Sequence, residues 1–467
     1  MQSTVEINKY SRLIDFNRVS SCTIRGQVRT VKGLVIEAEL VGAEIGSIVN
    51  ISRPKITTIQ HSQHQNNFIK AQVVGFENST AILLPYSDTK GLFPGASVEI
   101  LPTKHELAVG NFLLGKALNS LGEVITDTLE LELNQQINHP TPTYIDLNSS
   151  PPPTLQRQPV NTQLITGIRA LDGFCPIAHG QRLAIFAEPG VGKSSLMTML
   201  ARSSAAEINI IALIGERSRE VGEFHRELLK PELRNKTILV VSTSDEPALS
   251  RATAALTATR IAEYFRDQGK NVLLQIDSLT RLCRAMRDVG LAAGEMPVRR
   301  GYPPSVFAAL PKLLERAGTG TTGSITAFYT MLLSADIDED PMVEEVKGIL
   351  DGHIILSRRL AERSHYPAID ILRSLSRLQT KLQPPQIIKA TQKIKKLISR
   401  LENDRDLLTL GGKADSELQS ALQLEKYIED FLVQNINSET NLLETNDQLR
   451  EIANAAEHFR PSATQPS

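Results

Sequence analysis

The stretch RLAIFAEPGVGKSSLMTML, Arg182 to Leu200, decides the fold: a short apolar run turns through a glycine-containing loop into a helical pattern. It predicts a strand, a phosphate cradle and a helix in succession. Gly190 and Gly192, with Val191 between them, let backbone N–H groups close around an anion. Lys193 can reach the outer phosphates. Ser194, followed by Ser195, opens the helix, where its hydroxyl can hold Mg²⁺. The pattern GxxxxGK[ST] is matched at every fixed position but the first, which is Ala187. Glu188 sets a carboxylate inside the loop. At about 6 Å and an effective dielectric near 20, two unit charges repel by roughly 3 kcal/mol. The side chain is therefore expected to point away or to pair with a cation: Arg217, Arg219 or an arginine of a neighbouring subunit.

On either side of the cradle, from Gln181 onward, apolar runs alternate with helical patterns: RLAIFA, INIIALIGE, TILVVSTS, NVLLQID, SITAFYTML and HIILSRR. Strands without polar alternation, separated by helices, predict an α/β domain with a parallel sheet buried on both faces. One helix is predicted over 246–267, with Ser244 or Asp245 as N-cap, Pro247 in its first turn and Gly269 beyond its end. Ligands of such sheets bind at the carboxyl ends of the strands. Glu216 ends INIIALIGE and Asp277 ends NVLLQID, so both should converge on the cradle. Phosphoryl transfer needs this set: a cationic cradle, a carboxylate for Mg²⁺ and a group that orients the attacking water. Asp277 suits the first carboxylate role and Glu216 the second. Beside Arg217 and Arg219, Glu216 would also suit an ordinary helix start; its place opposite the cradle favours chemistry.

The chain has 467 residues, enough for about two to four domains at roughly 100–200 residues each. Lys and Arg number 51 against 52 Asp and Glu, a net charge of −1, which provides no global basic field for nucleic acid or membrane. Cys22, Cys175 and Cys283 lack metal-binding spacing and read as reduced core thiols of a cytoplasmic protein. The opening MQSTVEINKYSRLIDF has no apolar signal core and no run of about 18 apolar residues follows, so any membrane contact is expected to be peripheral.

Residues 1–18 space Ile7, Tyr10, Leu13, Ile14 and Phe16 like a short amphipathic helix. Residues 19–100 change to short β-rich runs punctuated by glycines, predicting a small antiparallel barrel. Within them His61 and His64 have no third ligand in view and read as part of a solvated loop. Residues 101–159 form a connecting segment ending in a Pro-rich linker from Pro140 to Pro159, since successive prolines block helix and ladder alike. The α/β domain occupies 160–378 and a helical region 379–435. There the basic run Lys389, Lys393, Lys395, Lys396 and Arg400 reads as a solvated face, and Leu418, Leu422, Leu424, Ile428, Phe431 and Leu432 as a core-facing stripe. From about Asn435 the sequence matches no recognisable pattern, so 436–467 reads as a variable tail, and RPSATQPS is expected to be disordered.

Four longer runs carry a resemblance: GERSREVGEF (215–224), QIDSLTRLCRAMRDVGLAAGE (275–295), RGYPPSVFAALPKLLERAG (300–318) and DGHIILSRRLAERSHYPAIDILRSLSR (351–377). From about residue 24 to about 435 the chain resembles the ATPase of type III export systems, flagellar and injectisome. That family is similar to the catalytic subunit of rotary ATP synthases. The resemblance implies an N-terminal β-barrel, a RecA-like P-loop ATPase core and a C-terminal helical domain. It makes Lys193 and Ser194 the phosphate and Mg²⁺ contacts, Glu216 the catalytic carboxylate and Asp277 the carboxylate behind the Mg²⁺. It places Arg217 and Arg281 near the γ-phosphate, Tyr366 against adenine and Arg377 as an arginine finger. Without it, Tyr366 beside Pro367 would read as a core aromatic.

A finger that reaches the neighbouring site implies a ring, a homo-hexamer, with the loop 293–304 toward its pore and Arg299 and Arg300 toward a central partner. The implied activity is Mg²⁺-dependent ATP hydrolysis that releases chaperones from exported proteins and unfolds them. A regulator, a central stalk, the export gate and chaperone–substrate complexes would be the partners. Three other functions fit the sequence less well. The wording of GERSREV and GYPPSVFAALPKLLERAG disfavours a rotary synthase subunit. An RNA-dependent ring helicase is disfavoured by the neutral charge and 4% aromatic content, and a non-catalytic scaffold by Glu216.

Overall fold

The computed structural model describes residues 24–53, 67–101, 105–125, 142–228, 230–333, 340–409 and 415–458. Cys22, His61, His64, the segment 1–18 and the terminal RPSATQPS lie outside them. Six strands close a barrel in the order Arg25–Lys32, Val35–Glu39, Thr80–Pro85, Phe68–Glu77, Ile48–Ser52 and Ser97–Ile100. Alternation turns every second side chain inward. Ile36, Ala38, Val49, Ile51, Ile69, Ala71, Leu83 and Val98 fill the interior with no exposed surface. Five of these strands fall on the β-rich runs TIRGQVRTV, LVIEAEL, SIVNISR, KAQVVGF and TAILLPY. The last, four residues long, is too short to show a period.

The barrel rests on the helix Ala248–Asp267. Ile48, Leu84 and Tyr86 pack with Leu249, and Ser250 Oγ donates to the Tyr86 carbonyl at 2.7 Å. His105 is in edge contact with Tyr86 (ring centroids 6.0 Å apart, planes at 82°), and its Nε2 is buried without a hydrogen-bond partner. Burial, helped by Lys70, pushes its imidazole from 6.5 down to about 4. The unfolded ring thus takes up a proton near 6.5 and the folded ring only near 4. Its contribution to stability is complete above the upper value and is lost as pH falls through that window. We expect the barrel's thermal midpoint to drop between those pH values and His105→Phe, which keeps the ring contact, to flatten the drop. His179, His353 and His365, depressed in the same direction by burial, supply the residual slope. An unchanged pH profile in the variant would contradict this assignment.

The segment predicted as linker is not featureless. Thr143–Asp146 pairs antiparallel with Glu106–Val109, because prolines flank this strand without interrupting it. The main sheet has nine strands, eight of them in the order Leu375–Ser376, Gly352–Leu356, Arg182–Ala187, Ser324–Leu332, Asn271–Asp277, Ile208–Glu216, Thr237–Thr243 and Ala117–Leu118. The ninth, Gly318–Thr319, pairs with Ser324–Leu332. It is parallel except at the two-residue strands Leu375–Ser376 and Gly318–Thr319. HIILSRR supplies only its first four residues to a strand, Gly352–Leu356; Ser357 then turns the chain into the helix Arg358–Glu362. The predicted helix over 246–267 begins at Ala248, with Pro247 as N-cap. A residue before proline is driven from helical geometry, and Glu246 instead accepts from the Ser242 hydroxyl (2.8 Å) and the Thr243 N–H (3.3 Å).

Three helices, Pro385–Thr409, Ser416–Leu432 and Leu442–His458, complete the described chain. Ile387, Ile394, Leu424, Phe431 and Leu449 share one apolar cluster with Phe174, Leu183 and Ile185. The helical region therefore covers one face of the sheet and has no separate core. Its third helix falls within 436–467, where Leu449, Ile452 and Ala456 recur at helical spacing and are buried. Among the described residues no helix is long and apolar enough to cross a membrane.

Candidate functional site

Sheet register brings the strand ends together. Ala187 pairs with Leu332 on one side and Leu356 on the other, while Leu213 pairs with Asp277 and Glu216 ends the adjacent strand. After Ala187 the chain turns through Gly190 (φ 82°) and Gly192 (φ 92°), left-handed geometry that favours glycine, and enters the helix Lys193–Ser203. Val191 is buried beneath the loop, and Ser194 and Ser195 are exposed at the helix start.

Lys193 lies between the two strand-end carboxylates. Its Nζ pairs with Asp277 Oδ1 in close contact and with Glu216 Oε1 at 3.4 Å. The other Glu216 oxygen forms an ion pair with Arg281 Nη1 at 2.8 Å. Arg281 also donates to the Gly215 carbonyl. It stands in the first turn of the helix Leu279–Ala292, whose N-cap Ser278 accepts from the Arg281 N–H. Thr330 Oγ1 donates to Asp277 Oδ1 at 2.7 Å, a partner that sequence reading missed because it lies on another strand. Glu216 and Asp277 are almost wholly buried. Burial raises the Asp277 carboxyl above its ordinary value, against the opposing pull of Lys193. Two carboxylates and two cations thus face one another at the mouth of a loop of backbone N–H groups.

This donor set fits a nucleotide with Mg²⁺. Ser194 and Asp277 could supply the hard oxygen atoms that the ion prefers, and Mg²⁺ commonly completes its shell with substrate phosphates and water. Among the described residues no group of three or more His, Cys, Asp or Glu side chains could hold a metal on its own.

The other expected residues divide. Tyr366 is 42% exposed, so it is not a core aromatic. Its ring carbons lie 3.3 and 3.4 Å from where a side chain on Gly192 would begin, which places a stacking surface beside the cradle. Its carbonyl accepts from the Gln434 backbone N–H at 2.9 Å, and Gln434 Nε2 donates to the Gly167 carbonyl at 2.7 Å. Arg217 is exposed and makes none of the ion pairs described above. Arg377 is not at this site. It follows the strand Leu375–Ser376, in which Ser376 pairs with Gly352, and its N–H bonds to the Asp351 carbonyl. The cradle adjoins Leu356, at the opposite end of the strand Gly352–Leu356 from Gly352, about 13 Å away at roughly 3.3 Å per residue. The guanidinium donates instead to the Lys347 carbonyl at 3.2 Å.

Glu188 is paired, but with neither Arg217 nor Arg219: its Oε2 lies 3.5 Å from Arg358 Nη1 of the same chain. The loop 293–304 ends in a tight turn, Arg299 to Tyr302, with Arg300 (φ 48°) and Gly301 (φ 84°) at its tip. Met296 and Val298 are exposed on it, and Arg299 pairs with Glu344 at 3.1 Å.

Comparison with known proteins agrees with this architecture along its length. Residues 28–101 match the β-barrel domain of the ATP synthase alpha/beta family, 167–376 its nucleotide-binding domain, and 383–451 the T3SS EscN ATPase C-terminal domain. The flagellum-specific ATP synthase of Bacillus subtilis is 40% identical over 88% of this chain and 90% of its own. The SPI-2 type 3 secretion system ATPase of Salmonella typhimurium is 50% identical over 66% of this chain and 69% of its own. The assembled ATPase EscN of enteropathogenic E. coli, solved in complex with its central stalk EscO, superposes with a TM-score of 0.81 at 40% identity. That match covers 92% of this chain and all of the other. The chain belongs to the type III export branch of the ATP synthase alpha/beta family, the branch of the flagellum-specific ATP synthases and the type 3 secretion system ATPases.

Proposed function

We propose that the chain hydrolyses ATP with Mg²⁺ and uses the energy to drive protein export through a type III apparatus, releasing chaperones from the exported proteins and unfolding them. The buried cluster Lys193–Glu216–Asp277–Arg281 carries this reading, because it concentrates at one strand-end cleft the groups phosphoryl transfer requires. Lys193 exchanges its carboxylate partners for phosphate oxygens. Glu216, released from Lys193 and still held by Arg281, orients the attacking water. Ser194 and Asp277 hold Mg²⁺, which supplies charge neutralisation on the phosphate oxygens. Tyr366 takes the base on its exposed ring, and Arg217 can swing toward the terminal phosphate. Arg377 completes the site of the next subunit in a homo-hexameric ring. The turn at Arg300 faces the central stalk, and the regulator, export gate and chaperone–substrate complexes bind elsewhere on the ring. The protein works in the cytoplasm, against the membrane-embedded apparatus.

The test is phosphate release by the purified chain with Mg²⁺ and ATP, followed against protein concentration, with and without RNA. We expect hydrolysis whose rate per chain rises on assembly and does not respond to RNA. No hydrolysis at any concentration, or strict dependence on RNA, would overturn the reading.

A further inference from the structure

The parallel register of Ala187 with Leu356 fixes more than the sheet. It sets the next residues of both strands side by side, so Glu188, entering the cradle, must lie close to the turn Ser357–Arg358. Arg358 is the first residue of the helix Arg358–Glu362. Its Nη1 lies 3.5 Å from Glu188 Oε2 and its Nε 3.1 Å from Glu362 Oε1, one helical turn on. Glu362 thus anchors the guanidinium from within its own helix. The Glu188 side chain is 32% exposed and that of Arg358 67%. Such a pair adds little to folding. Its importance lies in direction, since a carboxylate inside a phosphate cradle repels the ligand unless its charge is turned outward and offset.

We propose that Arg358 is a positioning residue for nucleotide binding: paired with Glu188 and anchored by Glu362, it holds the cradle's carboxylate off the phosphate site and so sets affinity for ATP. This rests on the reading of residues 188–194 as the nucleotide cradle. It also predicts that Glu188 is harmful only when Arg358 is missing, which neither residue's ordinary structural role would produce.

The experiment is a double-mutant cycle read by direct titration of a fluorescent ATP analogue, independent of turnover, on the full chain. Arg358→Ala is expected to weaken binding by about three- to tenfold at low salt, with the loss shrinking as ionic strength rises. Glu188→Ala should bind as well as the parent. The double variant should bind like Glu188→Ala, because removing the carboxylate removes the need for its partner. Arg358→Lys, which keeps the charge, should stay close to the parent and serves as the test if Arg358→Ala proves unstable. A double variant as weak as Arg358→Ala would mean that Arg358 touches the nucleotide or shapes the loop itself. Unchanged affinity in Arg358→Ala would mean that Glu188 stands clear unaided. Either result overturns the proposal. A parent chain that fails to bind the analogue at all would instead refute the nucleotide reading.

Discussion

Glu216→Gln is expected to lower steady-state ATP hydrolysis by about 10²–10⁴-fold and to leave nucleotide binding and assembly unchanged. The substitution is isosteric, and Arg281 can still donate to the remaining amide oxygen and to the Gly215 carbonyl. Lys193 retains Asp277. What disappears is the negative charge that holds a water in line and draws on its proton as the bond to the terminal phosphate forms. That interaction belongs to the transition state, so its loss falls on the rate and not on affinity. Phosphate release, analogue binding and mass measurement on one preparation check all three expectations. A rate within tenfold of the parent would remove Glu216 from the chemical role.

Arg377→Ala is expected to cost roughly 10³–10⁵ in rate, and the loss should be repaired by mixing with a chain defective elsewhere. Arg377 stands beside Gly352, at the far end of the strand Gly352–Leu356 from its own cradle, and donates to the Lys347 carbonyl, so any part it takes in hydrolysis is expected at another subunit's site. The suitable second chain is Glu216→Gln. Lys193→Ala would strand Asp277 as an unpaired buried carboxylate, which risks the fold. In rings mixed at equal amounts, about one interface in four joins an intact cradle to an intact finger, and activity should recover toward that fraction. Mixed rings verified by mass, yet still inactive, would contradict a shared site.

How far the sequence could be read followed the physics of each element. The strands Arg182–Ala187, Ile208–Glu216, Asn271–Asp277 and Ser324–Leu332 begin and end where their apolar runs do, because both faces are buried and the polar residues inside them, such as Asn209, Gln275 and Thr326, are too few to set up an alternation. The convergence of Lys193, Glu216 and Asp277 followed from the rule that strand ends share one side of a parallel sheet. The pairs Gly318–Thr319, Leu375–Ser376 and Ala117–Leu118 are too short for any period and exist because longer neighbours offer free edges. Leu442–His458 was hidden because Asn446, Gln448, Asn454 and similar residues dilute its apolar stripe. Thr330, Arg358 and Gln434 were invisible for another reason. Each meets the site through sheet register or domain packing, and no local pattern encodes a partner that distant in the chain.

If Arg377 is the finger of a neighbouring site, the separation of the cradle, beside Leu356, from Arg377, beside Gly352, fixes how many complete sites a row of subunits can hold. A subunit that receives at one end and delivers at the other makes head-to-tail contacts, which continue until they close. An open row of any length leaves one cradle unserved at one terminus and one finger idle at the other. Only closure equalises the two, and then the final subunit adds two complete sites where each earlier addition gave one. If Arg377 serves the neighbour's cradle, turnover per chain would therefore climb with every addition and reach one complete site per chain only at closure.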